Sequence, residues 1–361
     1  MTTVDLSEIR PGAVLRGRSL VGLSLAGSDL EGADLREAIL TGVDLAGAML
    51  RGADLRGTDL QNAILTGATL DDALLHRAIL TGANLGGISG RRLRLHEATF
   101  AGATLAGSDL TGLQASRCVF AGADLSTSDL AKAMLAMSDL SRADLTASNL
   151  SEANLVRTNL ANASLTGARL VGAVLLEADL SQAILARADA SGAMAAGASL
   201  KGADLTALRA RLADFSECDF TGARMSQASF ERSTLRKALL VEIEAVVADF
   251  EFADLTAATL RQSSLRGARF NGAVLEHATA SNCVLDVADF FWAAVGTFRT
   301  SQCSTEGVRW PQPQKVVHGP PNARSPRLDV PPLHRLPIAG GRAELIRTAL
   351  RIEAEPAMSA R

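Results

Sequence analysis

Four cysteines and five histidines carry the most recognisable reactive and metal-binding chemistry in this chain. Cys118, Cys218, Cys283 and Cys303 form no CxxC pair, which disfavours a dithiol redox centre or a zinc site. Each stands at a place in a repeating pattern where Ala, Ser or Thr is usual. We therefore predict reduced thiols that fill small interior sites, with Cys283 and Cys303 as neighbours, and no cofactor.

His76 and His96 are twenty residues apart, and the pattern places both outside the molecule and close together. Without a third ligand they form either a weak metal site or a solvated pair, and we assign no metal. The chain has no serine in a nucleophile elbow and no glycine-rich phosphate loop. These features predict a protein that is not an enzyme.

The repeating pattern has a period of five residues. From Leu15 to Phe290 every fifth residue is Leu at 40 of 56 positions and Phe at 8, and the residue two places earlier is small at 49 of the 56. Residues two apart on an extended chain face the same side, so the pair points into one interior. Neither a helix nor a flat strand has this period, so the chain must turn a corner every five residues and coil. Gly27 and Gly32 stand at such corners.

A longer period indicates how many corners close one coil. Phe230, Phe250, Phe270 and Phe290 recur every twenty residues. Four pentapeptides per coil would align these rings in a stacked column.

The repeat resembles that of the pentapeptide-repeat family. Residues 33–35 and 203–205 read Ala-Asp-Leu, the plainest form of the A(D/N)Lxx motif. The resemblance covers residues 13–292 and implies an all-β fold, a right-handed quadrilateral parallel β-helix of about 14 coils. At a spacing of about 4.8 Å per coil, the rod would be roughly 65–70 Å long.

Proline marks the limits of the solenoid, because nine of the ten lie beyond residue 310. We expect a cap over residues 1–12, the solenoid over 13–292, a second cap over 293–310, and a Pro-rich linker with a short amphipathic helix over 311–361. Apolar residues that suit the caps are Val4, Leu6 and Ile9 at one end and Phe291, Trp292, Phe298 and Trp310 at the other.

In the tail, Leu345, Ile346, Ala349 and Leu350 have helical spacing. This candidate docking helix would bind a partner or form a homodimer, or else fray or fold back over the last coil.

Three segments keep the five-residue count but lose the usual residue types: 86–95, 206–212 and 241–247. Each is either a locally bulged but continuous coil or a loop that a partner grips.

Charge and hydropathy indicate which partners and which location the sequence favours. Residues 1–295 carry a net charge of −8 and residues 296–361 of +5, from 26 and 10 basic against 34 and 5 acidic residues. Neither value predicts direct nucleic-acid binding. No run of 18 apolar residues and no leader-like amino terminus is visible, so we predict no membrane span and a cytoplasmic location.

The outward middle residue of the repeat supplies a candidate partner surface. It is apolar in a dense run near the amino end and acidic nearby. The candidate residues are Ile39, Met49, Ile64, Leu74 and Ile79, with Asp29, Asp34, Asp54 and Asp59.

Two functions compete. The first is a protein-binding scaffold, and some members of the family resemble adaptors or carriers in secretion systems. The second is implied by the resemblance to members that protect DNA gyrase by presenting an acidic, duplex-like surface. The charge of residues 1–295 disfavours gyrase as the partner. These residues include 26 basic ones, with Arg169, Arg209 and Arg269 among the aspartates of one face.

Overall fold

Backbone pairing between residues twenty apart organises the chain. The computed structural model describes residues 6–311, and in it parallel bridges join Val14 to Asp34 and continue to the pair Asp289 and Arg309. The Leu15 N–H donates to the Asp34 carbonyl at 2.8 Å, and the Asp34 N–H donates to the Ala13 carbonyl at 2.8 Å. Four pentapeptides therefore close each coil of a right-handed, four-sided parallel β-helix, as predicted.

The sides of the coil are so short that most carry a single bridged residue. A 3₁₀ turn covers Leu6–Glu8 before the first coil. Within residues 6–311 the strands of three residues pair in parallel in the order β1-β2-β3-β4, and they are β1 (Leu239–Val241), β2 (Thr259–Arg261), β3 (Thr279–Ser281) and β4 (Arg299–Ser301). The described residues include no helix long and apolar enough to cross a membrane.

Most corners are closed by a backbone hydrogen bond that spans two residues, the second of which has a positive φ. The Ala33 N–H donates to the Leu30 carbonyl at 3.0 Å, and between them Gly32 has a φ of 64°. Glycine takes this conformation without strain, yet Glu37 adopts it with a φ of 59°. The residues at this position project outward, so long charged side chains can occupy it.

The interior is filled by the predicted pairs of large and small residues, nearly all of them fully buried. Phe230, Phe250, Phe270 and Phe290 stack with successive ring-centroid distances of 5.4, 5.0 and 4.6 Å. Trp310 continues this column at 4.9 Å from Phe290. The prediction of stacked aromatic columns is confirmed, and the interior has no hollow for a ligand along this column.

Where the repeat pattern weakens, a small residue takes the central position and large residues take neighbouring inward positions. A Cβ on Gly90 would meet Leu110 at 3.0 Å, Leu93 at 3.3 Å and Ile88 at 3.5 Å, so the two large neighbours occupy the space that a central Leu would fill. The same exchange places Leu208 two residues before Ala210 and Ile243 two residues before Ala245. The turn-and-bridge pattern continues through all three irregular segments, so the coil is continuous there.

The two ends of the described coil carry different residues. At the amino end Ile9 packs against the core. At the other end Phe298 lies 6.0 Å from Phe290, while Phe291 and Trp292 stack on each other outside and Trp292 is 70% exposed. Val4 and the Pro-rich segment with its candidate helix lie outside the described residues.

Candidate interaction surface

Four outward faces run the length of the rod, each defined by middle residues that bridge at intervals of twenty. Face A holds residues 14, 34 and so on to 294, face B residues 19 to 299, face C residues 24 to 304, and face D residues 29 to 309. Successive pentapeptides lie on successive faces, so residues five apart in sequence are separated by a corner.

This geometry distributes the predicted surface over all four faces. Six of the nine residues lie on two adjoining faces, and the remaining three lie elsewhere. Face A carries Asp34, Asp54 and Leu74, face B carries Ile39, Asp59 and Ile79, face C carries Ile64, and face D carries Asp29 and Met49. The run that looks continuous in sequence is therefore not one patch.

Face B presents two apolar side chains on either side of an aspartate. Ile39 and Ile79 are 41% and 42% exposed, and Asp59 lies between them on the intervening coil. The Gln61 side-chain amide donates to Asp59 at 3.1 Å, which holds the carboxylate in place. Across the corner on face A, Leu74 is half-buried. An apolar pair with a fixed polar group between them suits protein contact.

On face A the aspartates are neutralised by arginines of their own coils. Arg36 donates to both carboxylate oxygens of Asp34 at 2.8 and 2.6 Å and approaches Asp54 at 3.6 Å. Arg56 in turn contacts Asp54 at 2.7 Å. The hydrogen bonds from Arg36 outweigh burial and lower the pKa of Asp34 to about 2.

Replacing Arg36 by Gln should raise the pKa of Asp34 from about 2 toward its ordinary 3.8. A carboxyl whose pKa is lowered by folding stabilises the protein above its unfolded pKa, and this contribution disappears as the pH falls through the folded value. The stabilisation is under about 1 kcal/mol because the pair is partly exposed. Carboxyl NMR titration measures the pKa, and Arg224→Gln, on face C, is the matched control. An unchanged Asp34 titration in Arg36→Gln would contradict the assignment.

Face D alternates acidic and basic residues toward its carboxyl end. Arg209 contacts Asp189 at 3.1 Å, and Arg309 lies 3.5 Å from Asp289. Arg269 likewise contacts Asp249 at 2.5 Å. These carboxylates on neighbouring coils are paired with guanidinium groups, so this end of the face is not a continuous acidic surface.

The thiols lie where the sequence predicts. Cys118, Cys218 and Cys283 are buried, and Cys303 on the last coil is half-buried. Burial raises the pKa of Cys118 to about 12, so its thiol stays protonated and unreactive at neutral pH. Inward hydroxyls also bond to the backbone, as where Ser138 donates to the Ala115 carbonyl at 2.6 Å.

The two histidines are neighbours on the outside of adjacent coils, as predicted. Their ring centroids lie 6.4 Å apart, edge to face. Burial, followed by the charges of His96 and Arg56, lowers the pKa of His76. Across residues 6–311 no cluster of three His, Cys, Asp or Glu side chains is placed to hold a metal ion.

Sequence reasoning missed one apolar feature of the outer surface. Four residues at the first turn position after face A form a second apolar cluster, separate from the core, against which Val174 and Met194 pack. We call it the outer strip; its members are Ala136, Val156, Leu176 and Ala196. The signal in the sequence is their spacing of twenty at a turn position.

Comparison with known proteins identifies the repeat. A model described as pentapeptide repeats (8 copies) matches residues 19–57, 53–89, 94–135, 138–175 and 175–207. A model described as a pentapeptide repeat region matches residues 213–290. A comparison with curated proteins gives no match.

Several solved structures are similar to this chain. HetL, a pentapeptide repeat protein involved in heterocyst differentiation regulation in Nostoc sp. strain PCC 7120, is 32% identical over 63% of this chain and 89% of its own, with a TM-score of 0.31. QnrB1, a plasmid-mediated fluoroquinolone resistance protein, is 19% identical over 57% of this chain and 92% of its own, with a TM-score of 0.34. A protein of the Arabidopsis thaliana thylakoid lumen is 34% identical over 27% and 68%, with a TM-score of 0.17.

The two family models together match most of the coil that the hydrogen bonds define. In each match the central Leu or Phe and the small residue two places before it are, with few exceptions, the residues that the structure buries. The chain belongs to the pentapeptide-repeat family.

Proposed function

We propose that this protein is a non-enzymatic scaffold that binds a protein partner through the outer faces of its rod. The observation that supports this proposal is the filled interior, in which the central Leu and Phe side chains are almost completely buried. Proteins of this family are in general structural and interaction proteins.

The exterior of the described coil supports this role, because its groove on face C is open to solvent. This groove is lined by Ile184, Asp204 and Arg224, and its ionic groups already pair at 2.6 Å. Catalysis needs a site that excludes water around the reacting atoms, and an open groove does not do so. Recognition of a macromolecule, by contrast, needs a broad and rigid surface, which the stacked coils supply.

The surface that we propose for the partner spans faces A and B near the amino end. Ile39 and Ile79 would enter apolar pockets of the partner, with Leu74 contributing across the corner. Asp34 and Asp54, each held by an arginine, would form the polar rim. Their fixed geometry favours hydrogen bonding with little loss of side-chain entropy.

The proposal does not extend to DNA mimicry. A mimic needs uncompensated negative charge along the rod, because affinity for a DNA-binding enzyme depends on charge complementarity. Toward the carboxyl end of face D, Arg209, Arg269 and Arg309 each pair with an aspartate of the preceding coil. On face A, Arg36 and Arg56 pair with Asp34 and Asp54.

The double variant Ile39→Glu with Ile79→Glu should lose partner binding. Charged side chains would have to be desolvated in an apolar contact, so we expect recovery of the partner on immobilised full-length protein to fall at least about tenfold. Quantitative mass spectrometry of proteins retained from the native lysate measures this, and light scattering shows whether the partner is a second copy.

The matched control is Val284→Glu, because Val284 is 39% exposed on face C near the other end of the rod. This variant should retain the partner at the wild-type level. Equal retention by the double variant and the wild type would refute this surface. A protein that remains solitary in both assays would refute the scaffold role itself.

A further inference from the structure

The outer strip is buried at a position where this fold exposes its side chains. Elsewhere in the same column of turn residues, His96 and Arg236 are exposed, and Ser116 and Ser216, directly beyond the strip on either side, are half-buried. Within the strip, Val156 is 0% exposed, and the others are similarly hidden: Ala136 at 0%, Leu176 at 2% and Ala196 at 9%.

The backbone position does not explain this burial, since the same turn geometry recurs on every coil. Val174 and Met194 on face A pack against the strip from one side and are themselves half-buried. Leu176 lies on the outside of the coil and yet is only 2% exposed. This is typical of a side chain that another surface covers and not of one that faces water. An uncovered apolar strip of this kind would also be an aggregation site.

We propose that the outer strip is the docking site of the chain's own carboxyl-terminal segment, residues 342–355, bound as an amphipathic helix. Four residues of that segment have the spacing of one apolar helix face: Leu345, Ile346, Ala349 and Leu350. A helix of this length is about 21 Å long. The strip spans three coil spacings, about 14 Å. The apolar residues 345–350 span about 8 Å of that helix, so the apolar stripe fits within the length of the strip.

The linker has the reach that this docking needs. The coil described ends near residue 311, and the strip lies between five and nine coils back, about 27 to 42 Å along the axis. The intervening residues 312–341, seven of them Pro, form a tether of 30 residues. Fully extended they would reach roughly 100 Å. The docked position is thus within the ordinary range of the tether.

Tethering favours the chain's own tail over a second copy. A tether long enough to span the two sites makes docking intramolecular and raises the effective concentration of the tail above that of a second copy. The last coil of the strip is flanked by glycines. Gly192 and Gly197, with φ of 68° and 70°, present no side chains beside its last coil. Arg157 and Glu177, paired at 2.8 Å, supply a polar edge.

Hydrogen–deuterium exchange of the full-length protein tests this docking. In the wild type, amides of residues 342–355 should exchange at least about tenfold more slowly than in Leu176→Glu, where a charge in the strip expels the helix. Ile184→Glu is the matched control, because Ile184 is 43% exposed on face C within the same coils. It should leave the protection unchanged. Leu176→Ala, a milder change, should reduce the protection partially, and circular dichroism verifies that each variant keeps its β-sheet signal.

The reciprocal variant, Leu345→Glu with Leu350→Glu, should uncover the strip. Oxidation of Met194 by peroxide should then be several-fold faster than in the wild type, while Met137, which is 42% exposed, should oxidise at an unchanged rate. Wild-type tail amides that exchange as fast as a free peptide would overturn the proposal. So would protection that persists in Leu176→Glu, or protection that appears only together with a concentration-dependent dimer.

Discussion

Replacing Phe250 by Ala will lower the free energy of unfolding by about 3–5 kcal/mol. Its ring is 0% exposed and stacks between Phe230 at 5.4 Å and Phe270 at 5.0 Å. Truncation removes both stacking contacts and leaves a cavity that the closed coil cannot collapse, because the hydrogen bonds on all four sides fix its width. The loss should be largest in the coils that contact the ring.

Phe252→Ala is the matched control, since Phe252 is the same residue type two positions away but is 42% exposed. It contributes a contact with Arg232, whose guanidinium lies 5.6 Å from the ring centroid, and its loss should cost under about 1 kcal/mol. Denaturant unfolding compares the two variants, and hydrogen exchange locates the loss to coils 230–270. Equal destabilisation by the two changes would contradict an interior aromatic column.

Introducing Leu at position 90, the residue type that the repeat favours there, will destabilise the protein. The Cβ alone would lie 3.0 Å from Leu110 and 3.3 Å from Leu93, so a full Leu side chain has no space. Overpacking of this kind costs typically about 1–3 kcal/mol. A substitution toward the consensus would thus act against stability.

The compensating changes should reverse this effect. Adding Ile88→Ala and Leu93→Ala to Gly90→Leu restores the usual arrangement of one large and two small residues, and we expect most of the lost stability to return. The double change Ile88→Ala with Leu93→Ala, made in the presence of Gly90, should by itself be strongly destabilising because it leaves a cavity. Thermal or denaturant unfolding of the four proteins gives the coupling between the sites. Additive effects would show that these side chains do not share one space.

The stability of a solenoid is nearly the sum of the stabilities of its coils and of the contacts between neighbouring coils. That property has a bearing on the proposed scaffold. A rod stabilised coil by coil can tolerate many different outward residues, because the middle and turn positions contribute little to the core. The surface is therefore free to vary with the partner while the interior stays constant.

The sequence by itself determined the fold class, the closure of each coil by four pentapeptides and the inward residues. These follow from a backbone period of five and a secondary period of twenty, and both are visible because each local turn repeats the same geometry. The stacking of Phe230 through Phe290, the interior position of Cys118 and the proximity of His76 to His96 were predicted on this basis, and the structure confirms them.

Only the tertiary structure decided how residues combine across coils. It placed Ile39 and Ile79 on one face but Ile64 on another. It showed that large neighbours fill the space beside Gly90, and that Leu176 is buried although it lies outside the core. Periodicity fixes the direction in which a side chain points. What that side chain meets depends on residues twenty positions away and on distant parts of the chain, and so on packing in three dimensions.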